Sequence, residues 1–289
     1  MKIGHLALVI ALSAVTAFGV TKYTPQAATT VAPTKESAFE RMMKTNTLRC
    51  AYLLMPPQLS RDPNSGQFSG VAYDITTEIA KRLDLKVEWT EEVTFMTVAE
   101  GMKAGRYDAF CLTAYRWAPG TRAMEYTTPL FYSTTSAYVR TDDHRFDTDL
   151  SLINDPSVTM ATIDGEASTF IRAADYPKST AYSMPVSTDP ALLLETIATK
   201  KADVALSNPL MVMPYLVANP NVLRRVETPA PLRIYSHALS FAKGEHDLLS
   251  MFNIVIEEMI VDGTMDRILD PYEKIPNSFV RLKSPIASR

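Results

Sequence analysis

Residues 70–89, GVAYDITTEIAKRLDLKVEW, carry two hydrophobic periods in succession. Ile75, Ile79 and Leu83 recur at every fourth position of Tyr73–Leu83, which is the spacing of one helix face. Leu85, Val87 and Trp89 then alternate with Lys86 and Glu88, as in a half-buried strand. The neighbouring stretches extend this order in both directions. Upstream, Leu48–Tyr52 reads as a short strand ended by Met55-Pro56-Pro57, and RDPNSGQFSG is turn material that cannot continue it. Downstream, Phe95–Ala104 reads as a helix with Val98 and Met102 inward, and Tyr107–Ala114 as a buried strand. Strand, helix, strand, helix, strand implies an α/β fold with a parallel sheet and right-handed crossovers.

The pattern then restarts. Val158–Ile163 reads as a strand, Ser168–Ala174 and Leu192–Thr199 as helices, and Ala202–Leu206 as a strand. His237–Phe241 is a later strand. It precedes an amphipathic helix, Asp247–Val261, with Leu248, Phe252, Val255 and Met259 along one stripe. Gly263 ends that helix, and Thr264 is expected to cap a last turn through Leu269. Two α/β units are therefore expected, the second beginning after Asp142-Asp143. Extended runs at Ser136–Arg140 and His237–Phe241 are candidates for the connections between them.

Composition narrows the function. The chain has 289 residues, 46% hydrophobic and 21% charged, enough for two modest globular units. A net charge of -3 gives no electrostatic case for a nucleic-acid partner. Two cysteines are too few for a four-cysteine zinc site, and the four histidines show no HExxH spacing. Dinucleotide, P-loop and nucleophile-elbow glycine motifs are absent from the sequence. No cofactor is expected.

Met1-Lys2 followed by the apolar run Ile3–Val20 has the form of a secretory signal, and is also just long enough for an uncleaved anchor. Ala17-Phe18-Gly19 and Gln26-Ala27-Ala28 are the two candidate cleavage sites. Residues 1–28 are thus expected to be signal peptide or anchor, with a linker to about residue 44, and the periplasm is the expected compartment.

Several segments, taken in order, resemble the periplasmic solute-binding proteins of the amino-acid ABC importer type, bacterial extracellular solute-binding family 3. LRCAYLLMPPQ resembles the family's first strand and its Pro-Pro turn. GVAYDITTEIAKRLDLKVEW resembles its glycine-acidic helix segment, FMTVAEGMKAGRYDAFCLTA its helix-to-strand segment, RAMEYTTPLFYSTTSAYVRTDD its arginine-to-proline segment, and KKADVALSNP the corresponding strand of the second lobe. The resemblance implies a two-lobed periplasmic-binding-protein type II fold. Each lobe would be a mostly parallel sheet with flanking helices, the two joined by two hinge strands. Lobe 1 would hold 45–138 plus 238–275, lobe 2 139–237, and 276–289 would be a C-terminal tail. It also implies a monomer that closes on a small amino acid or related carboxylate and hands it to a membrane permease. The alternatives on the same fold are a cyclohexadienyl dehydratase-like enzyme and a ligand-binding partner of a membrane sensor or periplasmic enzyme system.

Carried over residue by residue, Arg122 matches the family arginine whose guanidinium fork clamps the ligand carboxylate. Its plainer reading is a surface arginine paired with Glu125 in a helix. Thr113 matches a contact beside that clamp. Phe95, thirteen residues before Asp108, matches the aromatic that stacks on the ligand. Tyr52 is a candidate for the opposite wall. Tyr115 and Trp117 lie in a loop longer than the family's and are expected to line the cleft, with Arg116 a second carboxylate partner. From lobe 2, Gly165 and Ser168 match the helix start that holds ligand carboxylates on free N–H groups. The family's ammonium-binding aspartate, five residues beyond Asp203, is Asn208 here, and Ala72 replaces another acid while Asp74 remains. The ligand is then an amine met by an amide, a carboxylate without an amine, or a solute whose charge is met by Glu166 or Asp164. Cys50 and Cys111 fall on neighbouring strands of lobe 1, as a disulfide or as two buried thiols.

Overall fold

The computed structural model describes residues 36–185 and 188–283, and Ser37 opens the first helix among them. The N-terminal apolar run, with its signal and anchor readings, lies outside the described residues. Ser37 caps helix α1 (Ala38–Thr45) reciprocally: its hydroxyl accepts the Glu40 N–H at 3.0 Å, and the Glu40 carboxylate accepts the Ser37 N–H at 2.9 Å.

The chain continues through β1 (Thr47–Tyr52), β2 (Ser60–Arg61), β3 (Phe68–Ser69), α2 (Val71–Arg82), β4 (Lys86–Glu92), α3 (Val98–Ala104), β5 (Ala109–Tyr115), β6 (Met124–Tyr126) and β7 (Phe131–Arg140). Next come β8 (Thr159–Ile163), α4 (Ala167–Asp175), β9 (Thr180–Met184), α5 (Pro190–Ala198), β10 (Val204–Ser207), α6 (Pro209–Ala218) and β11 (Leu223–Arg225). The last elements are β12 (Arg233–Ala242), α7 (His246–Val261), α8 (Thr264–Leu269) and β13 (Phe279–Val280). The order along the joined sheets is β4-β1-β5-β12-β7-β10-β8-β9. β1 is parallel to β4 and β5, and β8 is parallel to β10 and β9, so each half carries the expected parallel core.

In the first half β7 and β12 pair antiparallel, Arg233–His237 against Thr135–Phe131, and the two halves meet where β7 runs on past this pairing. Partners of β7 change abruptly along its length. Phe131–Thr135 bonds to β12, and Ser133 and Tyr132 also bond to β13. Ser136–Arg140 bonds instead to β10 and β11. Beyond its β7 pairing, β12 continues along β5 and β6.

Hydrophobic packing divides the same way. Ile75 and Ile79 of α2 are fully buried against Cys50, Cys111, Leu239, Phe252 and Met259, as their periodicity requires. On the other side, Met160, Val204 and Leu206 pack against Ile171 of α4. Each half also contains the same aspartate lock. The Asp108 N–H donates to the Arg49 carbonyl at 2.8 Å, and its carboxylate accepts the Arg49 N–H at 2.9 Å and the Arg49 guanidinium at 2.9 Å. Asp203 does this to Thr159, with N–H to carbonyl at 2.7 Å and carboxylate to N–H at 2.9 Å, and it pairs with Arg145 at 2.6 Å.

Some elements differ from the sequence reading. The helix expected from Phe95 begins at Val98, because the Thr97 hydroxyl accepts the Thr94 N–H at 3.1 Å and holds a turn first. Thr264 does not cap α8. The Asp262 carboxylate accepts the Thr264 N–H at 2.9 Å, and the Thr264 hydroxyl accepts from Arg82 and Arg267. Part of the C-terminal stretch is built into the hinge as β13, with Phe279 buried edge-to-face on Phe131 at 5.0 Å.

Cys50 and Cys111 are joined as a disulfide, with Cα atoms 5.5 Å apart and 61 residues between them in sequence. A loop of that length restricts the unfolded chain strongly, so replacing both cysteines by alanine is expected to lower unfolding stability by about 2–5 kcal/mol. Urea unfolding with and without reductant checks this: reductant must weaken the native protein and leave the double variant unchanged.

Candidate functional site

Strand alternation brings one set of side chains to the hinge. Thr113 and Tyr115 share a face of β5, and Tyr235 and His237 share a face of β12. The register places His237 opposite both Tyr115 and Phe131. Tyr115 stacks on Tyr235 at 4.8 Å between ring centroids and meets His237 edge-on at 4.7 Å, while His237 stacks on Phe131 at 4.5 Å.

His237 is 1% exposed and bonded at both ring nitrogens. Its Nδ1 lies 2.7 Å from the Thr113 carbonyl, which can only accept, so Nδ1 carries the proton. Nε2 then accepts the Ser133 hydroxyl at 2.7 Å. Burial lowers the His237 pKa to about 4, with the Thr113 hydrogen bond opposing. The imidazole is neutral and structural at neutral pH. It ties β5, β7 and β12 together beneath Tyr115.

Two groups of the second half approach Tyr115. Asn208, 4% exposed, starts α6 with its Oδ1 accepting the Leu210 N–H at 2.8 Å. This commits the amide oxygen to the helix and leaves Nδ2 buried without a hydrogen-bond partner. Glu166 starts α4, but its side chain makes no capping bond. It is half-buried, and burial raises its carboxyl pKa. The Tyr115 pKa is raised chiefly by burial; neighbouring Asn208 and Ser133 oppose this, and the Glu166 charge reinforces it.

The structure therefore brings Tyr115 and Asn208 together, with Glu166 near enough for its charge to act on the Tyr115 hydroxyl. Other sequence-selected residues are placed differently. Thr113 is fully buried, its hydroxyl donating to Gln58 Oε1 at 2.6 Å. Ser168 is buried, its hydroxyl accepting the Ile163 N–H at 3.2 Å. Tyr52 is buried in an aromatic cluster with Phe68, 4.9 Å away, and Trp89. Phe95 is 52% exposed and touches Phe110 edge-on at 6.0 Å. Trp117 is 55% exposed. Gly165 is exposed at φ +78°, a left-handed turn that needs glycine.

Arg122 closes a short 3₁₀ turn, Ala118–Arg122, and is exposed without a hydrogen bond or ion pair to any described residue. Glu125 does not pair with it. That carboxylate lies in β6 and meets Lys243 at 3.6 Å and His246 at 3.2 Å. Of the acids, Asp74 accepts the Tyr272 hydroxyl at 2.6 Å, and Asp164 accepts the Ser183 hydroxyl. Ser133, Tyr235 and His237 were not singled out from sequence. Alternation along two long strands was the available signal, but it needs the pairing register to be read. No cluster of metal-ligating side chains occurs among the described residues.

Two sheets of this kind, joined through the long strand β7, define a two-lobed solute-binding fold. The chain belongs to the bacterial extracellular solute-binding proteins, family 3, whose model matches residues 48–274. It is 25% identical over 235 residues to the "Probable amino-acid ABC transporter-binding protein" of Haemophilus influenzae, covering 79% of this chain and 85% of that one. It is 25% identical over 217 residues to the L-cystine-binding protein TcyA of Bacillus subtilis, covering 73% and 75% of the two chains. Among solved structures, the ancestral amino acid-binding protein AncCDT-1, a precursor of cyclohexadienyl dehydratase, matches with a TM-score of 0.70 at 21% identity, covering 82% of this chain and all (100%) of that one. A binding component of an ABC transporter from Wolinella succinogenes, complexed with lysine, matches with a TM-score of 0.70 at 15% identity, covering 80% and 97%. An extracytoplasmic location follows from the family, and no helix among the described residues is long and apolar enough to cross a membrane.

The buried His237 predicts a pH effect. Unfolded, it titrates at its ordinary 6.5; folded, it resists protonation down to about 4. The unfolded chain binds the extra proton in this window, so stability is full above 6.5 and falls as pH drops. The expected loss is about 1 kcal/mol between about pH 7 and about pH 5.5. Glu166, raised rather than lowered, works in the opposite sense, so urea unfolding of His237→Gln is the comparison: its stability must change less over this range than the native protein's.

Proposed function

We propose that this protein captures a small amino-acid-like solute in the periplasm and presents it to the permease of an ABC importer. The meeting of Asn208, from one half, with Tyr115, from the other, carries the reading, since a solute held there touches both halves of the chain. The names of the relatives, amino-acid and cystine binders, support the solute class. In this reading lobe 1 comprises residues 37–135 and 233–283, and lobe 2 residues 136–232. The seam is where β7 changes partners, a few residues before the boundaries set from sequence alone. One chain supplies both walls, so a monomer suffices, and the N-terminal run serves export.

Arg122 is the proposed carboxylate anchor. Its guanidinium has no partner among the described residues, so a ligand does not have to displace one. Exposed Phe95 and Trp117 are proposed to cover the apolar part of the solute. Binding without chemistry is all this role requires.

A second reading rests on Glu166. A carboxyl with a pKa raised by burial is what a general acid needs, and one structural neighbour is described as a precursor of a dehydratase. Product formed from prephenate or arogenate would favour the enzyme.

The test is a melting-temperature screen against amino acids, carboxylates and amines, because a ligand that binds only the folded form raises Tm. At a hundred-fold excess over Kd the gain is about 2.7 kcal/mol. Arg122→Ala is expected to abolish the shift for any carboxylate-bearing ligand. An undiminished shift would show that another group, such as Arg116, is the anchor.

A further inference from the structure

Near residue 276 the C-terminal stretch turns sharply. The Ser278 N–H donates to the Ile275 carbonyl at 3.2 Å, and Asn277 takes the left-handed conformation at φ 63°, which asparagine tolerates better than most residues. Two consecutive carbonyls of this turn are taken by different halves of the molecule. The Asn277 carbonyl accepts the Thr134 hydroxyl at 3.1 Å, and Thr134 is a buried residue of β7 just before the seam. The Pro276 carbonyl accepts Nη1 of Arg225 at 3.3 Å, and Arg225 ends β11, beyond the seam.

Both ends of this junction are fastened. On the first half, β13 sets Phe279 beside Ser133 and Val280 beside Tyr132, and Phe279 meets Phe131 edge-on at 5.0 Å. Arg281 then donates to Asp270 and Glu273, both at 2.6 Å. On the second half, Arg225 lies opposite Tyr138 of β7, and the Glu227 carboxylate accepts its Nε at 3.2 Å and its Nη2 at 3.1 Å. Two parallel bonds to one carboxylate fix the plane of a guanidinium, so Nη1 is held in position for Pro276. Apolar packing crosses between the halves as well: Leu210 of α6 is buried in the same cluster as Phe131 and Phe279. The Leu232 N–H bond to the Thr135 carbonyl at 3.2 Å and the Arg233 bond to Asp175 at 2.6 Å also cross, but they lie on the connection into β12 itself. The turn at Pro276 belongs to neither connecting strand, and comes 51 residues after the arginine it meets.

We propose that Pro276–Arg281 is a strap that holds the two lobes at one mutual setting, with the Arg225–Pro276 bond as its clasp. A contact made in one setting and lost in another raises the population of the first by its own free energy. Any rotation about the seam carries the strap with the first half of β7 and Arg225 with the second, so the bond between them is made or broken by that rotation. The strap lies on the edge of β7 opposite β12, the strand that bears Tyr235. The setting of the lobes, and through it the affinity for a solute between them, is thereby adjustable from outside the Tyr115 site. The inference goes beyond the solute-binding reading, and its test uses no ligand.

Spin labels on cysteines introduced as Lys86→Cys in the first half and Lys178→Cys in the second, both exposed positions, report the distance between the lobes by double electron–electron resonance. Arg225→Met keeps most of the apolar stem and removes the donors. Arg281→Met releases the other end of the strap. Arg106→Met, which breaks a pair with Glu91 at 3.1 Å inside the first half, is the control. Arg225→Met is expected to change the ratio of the distance populations by about two- to fivefold, the effect of one partly exposed charged hydrogen bond, with a native-like circular dichroism spectrum. Arg281→Met is expected to change it in the same direction, and the double variant no further than the larger single change, because both cut one strap. Arg106→Met is expected to leave the distances as they are. An unchanged distribution in Arg225→Met, or single effects that simply add in the double variant, overturns the strap. An equal change in Arg106→Met overturns it too, by showing a general loosening. In each of these cases the solute-binding reading stands.

Discussion

Everything in this molecule hangs on a five-residue antiparallel pairing, Phe131–Thr135 with Arg233–His237. Parallel sheets cannot be joined by tight hairpins, and each half of this chain is built on a parallel core. One long strand, β7, leaves one sheet and enters the other, and its backbone groups stay paired on both sides of the seam. Side chains on one face of β7 and β12, Ser133, Tyr235 and His237, lie together, and Tyr115 at the end of β5 stacks on Tyr235 and meets His237 edge-on.

The halves keep their shape by related means. Asp108 and Asp203 each grip the first residues of the neighbouring strand through a backbone amide and carbonyl, and each carries an arginine. A carboxylate that accepts a main-chain N–H and a guanidinium together is well satisfied, even where, as at Asp108, its side chain is fully buried. Lobe 1 adds the Cys50–Cys111 disulfide between its central strands. The contrast at Glu166 is instructive. Its side chain is half-buried at the start of α4 yet makes no capping bond there.

Much of the fold was legible because periodicity is a local property. Ile75, Ile79 and the alternation of Leu85, Val87 and Trp89 place α2 and β4 correctly, and the stripe of α7 is buried as its spacing requires. Helix α6 was missed because Pro209 and Pro214 argue against a helix, although the first sits where proline is tolerated. β13 was missed because two residues carry no period at all. At the site, a resemblance could match residue types but not commitments. Thr113 and Ser168 carry the right hydroxyls, yet Gln58 and the Ile163 N–H occupy them. Asn208 was legible as a departure, but the direction of its amide depends on a cap that only the fold reveals.

The short strand β13 adds a further edge to the strand that joins the two halves. It lies along Tyr132 and Ser133, and Arg281 just beyond it is fastened to Asp270 and Glu273, both at 2.6 Å. The first half of β7 is thereby three strands wide, flanked by β12 and β13, and the second half is three strands wide between β10 and β11. Ribbons laced on both edges resist bending. The change of partners along β7 falls at the single link between Thr135 and Ser136, and the chain enters β12 at Leu232–Arg233, close in sequence to Tyr235 of the Tyr115–Tyr235 stack.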